Sequence, residues 1–216
     1  FDERQIKVTV FAAAAAIERN LEVGRWIRDE GHEPCSHGWR WEEMWRLTRE
    51  QEKAHMAAAI TSFEATCGSR PLGWYCRYGP SVHTRELIVE DGGFVYDSDA
   101  YNDDLPYYVD VRGTPHLIVP YTFTYNDARF AMAPGYGSPS DFFDLLRRGF
   151  DYLWEEGASH PRIMNIGVPP RLAGQAGRAS ALKEFIEYAR NKGGVWFARR
   201  IDIANWWQQH HAEFRP

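Results

Sequence analysis

The sequence predicts an α/β fold in which helices cover a mostly parallel sheet. Two observations lead to this fold class. Short β-branched or apolar runs alternate with longer stretches of helical spacing along the 216 residues. No run of about 18 apolar residues interrupts the alternation, so no transmembrane helix is predicted. A closed barrel and a doubly wound open sheet both satisfy this order of elements.

The first half of the chain shows the alternation clearly. Residues 6–11 are β-branched and apolar and predict a buried strand. Residues 21–30 have helical spacing, and residues 33–37 form a short strand. Thr48 and Gln51 have the spacing of a capping box and open a helix that runs to about Cys67. The other elements predicted here are strands at residues 72–76 and 94–97 and a helix at residues 82–91.

The second half begins with residues 97–108, which are rich in Asp and Tyr and predict a loop. Residues 116–122 predict a strand, and Pro120 indicates an edge or a bulge. Ser138 and Pro139 begin a helix over residues 140–156. The remaining predictions are strands at residues 162–168 and 195–200, and helices at residues 180–192 and from 201 to about 214. No repeat or linker divides the chain, so residues 1–216 are expected to form a single domain.

Composition limits the classes of partner. The net charge of -5 and the pI near 5.9 argue against nucleic acid and anionic membranes, because no broad positive field is available. The three cysteines are odd in number and match no metal-binding spacing. This pattern favours a reducing compartment, taken here as the cytoplasm.

Residues 31–41 read Gly-His-Glu-Pro-Cys-Ser-His-Gly-Trp-Arg-Trp and resemble the histidine motif of polysaccharide deacetylases. In metal-dependent members, two histidines four residues apart bind a divalent ion. Here His37 takes the first position and Trp41 takes the second. This pattern resembles the metal-free branch that opens allantoin and cyclic imides. Residues 70–75, 97–107 and 196–206 resemble further motifs of that branch, so the resemblance covers nearly the whole chain.

The resemblance implies a distorted (β/α) barrel of the NodB-like type. The family's upstream segment, with the first strand and an acidic motif, has no counterpart here, so we expect an N-terminally truncated domain lacking that strand. A sheet edge exposed in this way favours a homo-oligomer. The family also carries a His in an Ile-Gly-Leu-His run. Here Pro169 follows Ile-Gly-Val, and proline has no titratable ring.

Hydrolysis of an amide needs an activated water, stabilisation of an oxyanion and a proton for the leaving nitrogen. A catalytic zinc needs about three protein ligands, which one His beside a Trp does not supply, so neither a metal nor another cofactor is expected. His37 is the candidate general base or acid, because its ordinary pKa of about 6.5 suits proton transfer at neutral pH. The alternative is a structural histidine at a strand end.

Acidic residues of the 97–107 loop are further candidates. Asp99 is placed with His37 as a catalytic residue, and Asp104 is a candidate for binding ring N–H groups. Both have a solvated loop as the alternative, and Asp103 is interpreted as an Asx-turn residue.

Aromatic and basic residues complete the predicted site. Trp39, Trp41 and Trp74 could form the wall for a flat ring, with plain core packing as the alternative. Arg40 and Arg171 could hold ring oxygens through their forked donors, with surface ion pairs as the alternative.

Three other polar features are interpreted as structural. His55 is expected to face solvent from its helix, and Asn126 and Asp127 are expected to form a turn. Cys76 has no base nearby in the sequence that would make it a nucleophile.

Three functions follow from these residues. The first is metal-independent hydrolysis of a small cyclic amide, with allantoin as the leading substrate and purine catabolism as the context the resemblance implies. The second is a metal-dependent polysaccharide or peptidoglycan deacetylase, against which Trp41 counts. The third is a catalytically impaired homologue that acts as a binding or assembly subunit, which Pro169 favours.

Overall fold

The computed structural model describes residues 1–214. They form two compact units, one of residues 1–120 together with those from Phe197 onward, and one of residues Tyr121–Trp196. The first unit holds the six-stranded sheet and five α-helices, and the second holds three α-helices. The single-domain assignment stays a prediction.

The sheet of the first unit confirms the predicted α/β class. Its strand order is β1-β2-β3-β4-β6-β5, with every neighbouring pair parallel except β5 and β6. The strands are β1 (Thr9–Ala12), β2 (Glu33–Ser36), β3 (Gly73–Trp74), β4 (Tyr96–Asp97), β5 (Tyr107–Val111) and β6 (Thr114–Ile118).

The long helices α3 and α5 start where the sequence places a capping residue. The Thr48 hydroxyl accepts from the Gln51 amide and the Gln51 side chain accepts from the Thr48 amide, so the predicted capping box is confirmed. None of the helices within residues 1–214 combines the length and apolar character needed to cross a bilayer. The helices are α1 (Ala14–Glu18), α2 (Leu21–Asp29), α3 (Arg49–Cys67), α4 (Thr84–Asp91), α5 (Pro139–Glu156), α6 (Pro170–Ala173), α7 (Ala176–Lys192) and α8 (Arg200–His210).

Two predicted strands are wrong. Residues 195–199 have no strand pairing in the described structure, and α8 begins at Arg200. Residues 162–168 make a single bridge, between Gly167 and Asn126. An apolar run becomes a strand only where a neighbouring backbone pairs with it, because its N–H and C=O groups need partners. The sequence shows the run but not the neighbour.

The sequence analysis missed the β5–β6 hairpin. Part of β5 lies in the run interpreted as a loop, although alternate residues of that strand are more buried. Arg112 and Gly113 join the strands with φ of 53° and 84°. Positive φ at both central residues is typical of a type I′ turn, whose twist matches that of the flanking strands.

The two faces of the sheet pack against different cores. Cys35, Gly73, Tyr96 and Leu117 lie in register across four strands, and this row packs on α8. A Cβ at Gly73 would overlap the ring of Tyr96, so only glycine fits beside that ring. The next position on β3 is Trp74, which faces the other core with residues of α1 to α4.

Candidate active site

Three chain segments leave the sheet at its carboxyl edge and carry the polar residues of the site. His37 follows β2, Tyr75 follows β3, and Asp99 comes two residues after β4. The pairing continues past the strand ends, because the Tyr75 amide donates to the Ser36 carbonyl over 2.9 Å. Neighbouring parallel strands end at the same edge, so His37 and Asp99, the predicted catalytic pair, both lie at the carboxyl edge of the sheet.

His37 is held by main chain. Its Nδ1 lies 2.6 Å from the Tyr75 carbonyl oxygen. A carbonyl only accepts, so we assign the ring proton to Nδ1, which leaves the Nε2 lone pair of the neutral ring available. The ring stacks on Tyr75 with centroids 5.0 Å apart, and Trp41 meets it edge-on at 6.0 Å.

Burial lowers the pKa of His37 below its ordinary value of 6.5. The hydrogen bond to Tyr75 acts in the opposite direction, and the positive charge of Arg77 lowers the pKa further. The imidazole is therefore neutral near pH 7, in the form that accepts a proton.

One peptide group links His37 to Asp99. The Tyr75 carbonyl accepts a hydrogen bond from His37 Nδ1. The amide of Cys76, at the other end of the same peptide bond, donates to Asp99 Oδ1 over 2.8 Å. The O and N atoms of one peptide are about 2.3 Å apart, so Nδ1 of His37 and Oδ1 of Asp99 lie within about 8 Å. The structure thus brings the two predicted catalytic residues together.

Asp99 is a carboxyl that holds its proton near neutral pH. Burial raises its pKa to about 7, and the nearby Asp97 carboxylate adds to the rise. Its Oδ2 is buried and has no hydrogen-bond partner within residues 1–214. A protonated carboxyl with a free oxygen can serve as a proton donor.

Asp97 has the opposite electrostatics. Burial acts to raise its pKa, but hydrogen bonds from His116 at 3.1 Å and Arg85 at 2.8 Å bring the pKa below its usual value. Asp97 also accepts from the Asp99 amide. The fixed charge of Asp97 therefore orients the chain at Asp99 and keeps that second carboxyl protonated.

His55 corrects the sequence analysis, since it is buried rather than solvent-facing. Its Nε2 accepts from the Trp39 amide over 2.8 Å, and its Nδ1 lies 3.3 Å from Glu42. Gly38, with φ of 87°, lies against this ring, where a Cβ would come within 2.7 Å of Nε2. Helix α3 thus braces the two residues that follow His37.

The three predicted ring-wall tryptophans have different surroundings. Trp41 is 60% exposed beside His37. Trp39 is half-buried, packs against the core and carries the Arg40 guanidinium 4.1 Å above its ring, while Arg40 itself is exposed. Trp74 has none of its surface exposed and donates to Cys76 Sγ, so the structure favours the core-packing alternative for Trp74.

Other predicted residues lie farther along the chain. Asp104 is exposed, and its amide donates to Asp103, which confirms the Asx turn. Arg171 is exposed on α6 of the second unit, directly after Pro169 and Pro170. The expected turn at Asn126 is confirmed, because its side chain accepts from the Ala128 amide.

Arg77 is a residue to which the sequence analysis assigned no role. It lies just past β3 with 8% of its surface exposed, and its guanidinium stacks on Trp41 and Tyr78. Nothing in the run Trp-Tyr-Cys-Arg-Tyr distinguishes it from a surface arginine. Only its position in a strand-end segment, residues 74–77, could have drawn attention to it.

The described residues do not fit a bound metal ion. His37 has only Nε2 available to a metal, and Trp41, at the position of the second histidine, has no donor atom for one. Within residues 1–214, no three His, Cys, Asp or Glu side chains converge as a ligand set. Burial raises the pKa of the Cys76 thiol well above its ordinary value, which disfavours a thiolate ligand or nucleophile there.

Comparison with known proteins decides the family. The sequence model for polysaccharide deacetylase matches residues 1–96. A Schizosaccharomyces pombe protein that carries the polysaccharide deacetylase name is 35% identical over 230 residues, covering 98% of this chain and 71% of that protein. The chain belongs to the polysaccharide deacetylase family.

Solved structures of this family agree with the fold. A structure from Pseudomonas aeruginosa PAO1, also named as a polysaccharide deacetylase, is 45% identical with a TM-score of 0.92 over 98% of this chain and 71% of its own. The structure of PuuE allantoinase is 44% identical with a TM-score of 0.93 over 98% of this chain and 70% of its own. The NodB-like (β/α) barrel fold predicted from the sequence is thereby confirmed, and the chain is a hydrolase of the deacetylase superfamily.

Proposed function

We propose that this member of the polysaccharide deacetylase family opens a cyclic amide, such as allantoin or an imide, by metal-independent hydrolysis. The observation that carries the proposal is the state of His37, whose Nδ1 is bound to the Tyr75 carbonyl and whose ring lies beside Trp41. This arrangement leaves Nε2 free to take a proton, and Trp41 supplies no second ligand for a metal. The likeness to PuuE allantoinase supports the same branch.

The first step is attack of water on a ring carbonyl. His37 Nε2 takes one proton from the water as the oxygen bonds to the carbonyl carbon, which gives an oxyanion and an imidazolium. A ring carbonyl flanked by a second electron-withdrawing group is more reactive than a simple amide. Such a substrate lowers the demand on the site for carbonyl activation.

The second step breaks the carbon–nitrogen bond. The oxyanion collapses to a carboxyl group as the ring nitrogen leaves, and Asp99 gives that nitrogen a proton. One proton then passes from His37 back to Asp99, so one water is consumed for each ring opened. The raised pKa of Asp99, about 7, suits a donor that must be protonated at the start of each turnover.

A direct assay tests this function. Chelator-washed protein is incubated with allantoin, hydantoin and succinimide, and the open-chain acids are measured by chromatography. We expect ring opening that stays within about twofold when zinc is added. Absence of any ring opening, with and without zinc, would contradict the proposal. Acetate release from an N-acetylated polysaccharide that requires zinc would support the deacetylase function for which the Schizosaccharomyces pombe relative is named.

A bell-shaped dependence of kcat/KM on pH is expected. Activity rises with pH as His37 loses its proton, and this limb lies below 6.5 because the pKa of His37 is lowered. Activity falls again as pH increases through about 7, because Asp99 then loses the proton it must donate. Initial rates between pH 4.5 and 9 at constant ionic strength measure both limbs. A plateau that extends from pH 7 to 9 would assign the acid to another group.

Asp99→Asn removes the acidic proton of Asp99 and keeps its hydrogen bond to the main chain. The asparagine Oδ1 can still accept from the Cys76 amide, but the side chain has no proton to give to the leaving nitrogen. We expect a loss in kcat/KM of about a hundredfold and disappearance of the alkaline limb. Asp103→Asn, in the exposed Asx turn, is the matched control and should leave the rate within about twofold. Full activity in Asp99→Asn would remove Asp99 from the mechanism.

The third function, a binding or assembly subunit, makes a different prediction for the same assays. Pro169 lies directly before α6 and offers no titratable group. If the unmodified chain is inactive and Pro169→His opens rings, the chain is an impaired homologue. Turnover by the unmodified chain would exclude that function.

A further inference from the structure

We infer that Arg77 binds the oxyanion that forms on the attacked ring carbonyl, and the carboxylate oxygen that this atom becomes after ring opening. The inference rests on the proposed ring hydrolysis and assigns a residue to a task that His37 and Asp99 do not perform. No motif and no named relative draws attention to this position.

Arg77 is a buried cation that forms no ion pair within residues 1–214. Only 8% of its surface is exposed, and within residues 1–214 neither Nε nor Nη1 has a hydrogen-bond partner. Glu43 attracts the guanidinium electrostatically, but it forms its ion pair with Arg46 instead. Arg200 is a buried guanidinium that differs, because it donates to Ser98 and to the Val119 carbonyl.

The side chain is held in place by aromatic rings. The guanidinium carbon lies 4.6 Å from the centroid of the Trp41 ring and also over the ring of Tyr78. Tyr78 adopts φ of 67°, a left-handed conformation that costs a tyrosine about 1 kcal/mol or more. Ring contacts fix the plane of a guanidinium but leave its N–H groups without acceptors. Those N–H groups are therefore oriented and, within residues 1–214, without an acceptor.

The position of Arg77 matches the proton chemistry. Trp41 contacts Arg77 on its face and meets the His37 ring edge-on at 6.0 Å, so one indole joins the cation to the base. The charge of Arg77 also acts on His37. Trp41 is 60% exposed, whereas Nε and Nη1 of Arg77 are buried beneath the surface. In the proposed reaction, the carbonyl attacked by water at His37 lies between His37 and this guanidinium.

Physical chemistry selects the ligand. Buried N–H donors without acceptors are costly, and a cation in a site of low dielectric is costly without an anion. A neutral substrate ring supplies a hydrogen-bond acceptor but no charge. The anionic intermediate and the opened acid supply both an acceptor and a negative charge. Such a group stabilises the transition state more than the bound substrate, which is the property an oxyanion site requires.

The test uses the whole chain with Arg77→Ala, Arg77→Met and Arg77→Lys. In the ring-opening assay we expect Arg77→Met to lower kcat about a hundredfold while KM changes less than about threefold. Arg77→Lys keeps the charge and should retain more activity than Arg77→Met. Guanidinium ion at millimolar concentration should restore Arg77→Ala at least about tenfold. Urea, which has the same shape without the charge, should not. A merely structural arginine would not show this difference.

Controls separate a folding defect from a lost contact. Arg25→Met changes an exposed arginine on α2 and should leave kcat within about twofold. Each variant is also compared with the wild type by thermal unfolding, so that only variants that remain folded are interpreted. If every Arg77 variant were to unfold, absence of measurable hydantoate binding by wild type would overturn the inference.

A binding measurement distinguishes this inference from the proposed function. Hydantoate, the open acid of hydantoin, is titrated into wild type and Arg77→Met by calorimetry. We expect binding by wild type and at least tenfold weaker binding by the variant. If wild type opens no ring but shows this difference, the proposed function fails and the anion site stands. Equal binding by the two proteins, or kcat of Arg77→Met within threefold of wild type, would overturn the inference.

Discussion

His37→Asn is expected to lower kcat/KM for ring opening by about a thousandfold, the range of a lost general base. The asparagine amide can still donate to the Tyr75 carbonyl, as Nδ1 of the imidazole does over 2.6 Å. It has no counterpart of the Nε2 lone pair, so water is no longer deprotonated as it attacks. The substitution thus removes the proton acceptor and keeps the contact that orders the loop.

Steady-state rates for His37→Asn should show the loss mainly in kcat, with the acid limb of the pH profile gone. His160→Asn, at an exposed histidine of the second unit, is the matched control and should behave as wild type. If His37→Asn kept a tenth or more of the activity, His37 would be a structural histidine at a strand end. The metal-free mechanism would then have no base among the described residues.

Trp74→Ala should lower the free energy of unfolding by about 3 to 5 kcal/mol, the cost of truncating a large buried aromatic side chain. Trp74 has no exposed surface and meets Phe94 edge-on with ring centroids 5.6 Å apart. Its indole N–H donates to Cys76 Sγ over 3.0 Å. The truncation would leave a cavity beside the segment that carries Tyr75 and Arg77, so activity should fall with stability.

Urea unfolding followed by circular dichroism measures this loss. Trp45→Ala removes an indole that is half exposed and should cost less than about 1 kcal/mol. A folded Trp74→Ala that loses less than about 1.5 kcal/mol, with a large rise in KM, would return Trp74 to the ring wall predicted from the sequence.

Helices and the order of elements were accessible from the sequence because their signals are local. The Thr48 capping box and the Ser138-Pro139 start lie within a few residues of the turns they begin, and both are found in the structure. Strands depend on neighbours far along the chain. Residues 162–168 and 195–199 therefore look like strands without being paired, and the β5–β6 hairpin was overlooked.

The candidate site divides in the same way. His37 was found from a run that resembles a family motif, and Asp99 from its place after a strand. Arg77 was given no role and His55 was wrongly expected to face solvent, because their burial and their hydrogen-bond partners are set by other segments. The family and the fold are confirmed by comparison. The cyclic amide substrate, the cytoplasmic location and a homo-oligomer stay predictions.

The peptide bond between positions 75 and 76 has a consequence for how such a site can diversify. Every amino acid has a backbone carbonyl. A substitution at position 75 that leaves the local backbone in place therefore still holds the proton of His37 on Nδ1. The side chain that stacks on His37 can thus change during evolution, and with it the cyclic substrates that fit, while His37 remains the proton acceptor. Position 76 is less free, because proline there would remove the N–H that holds the acid.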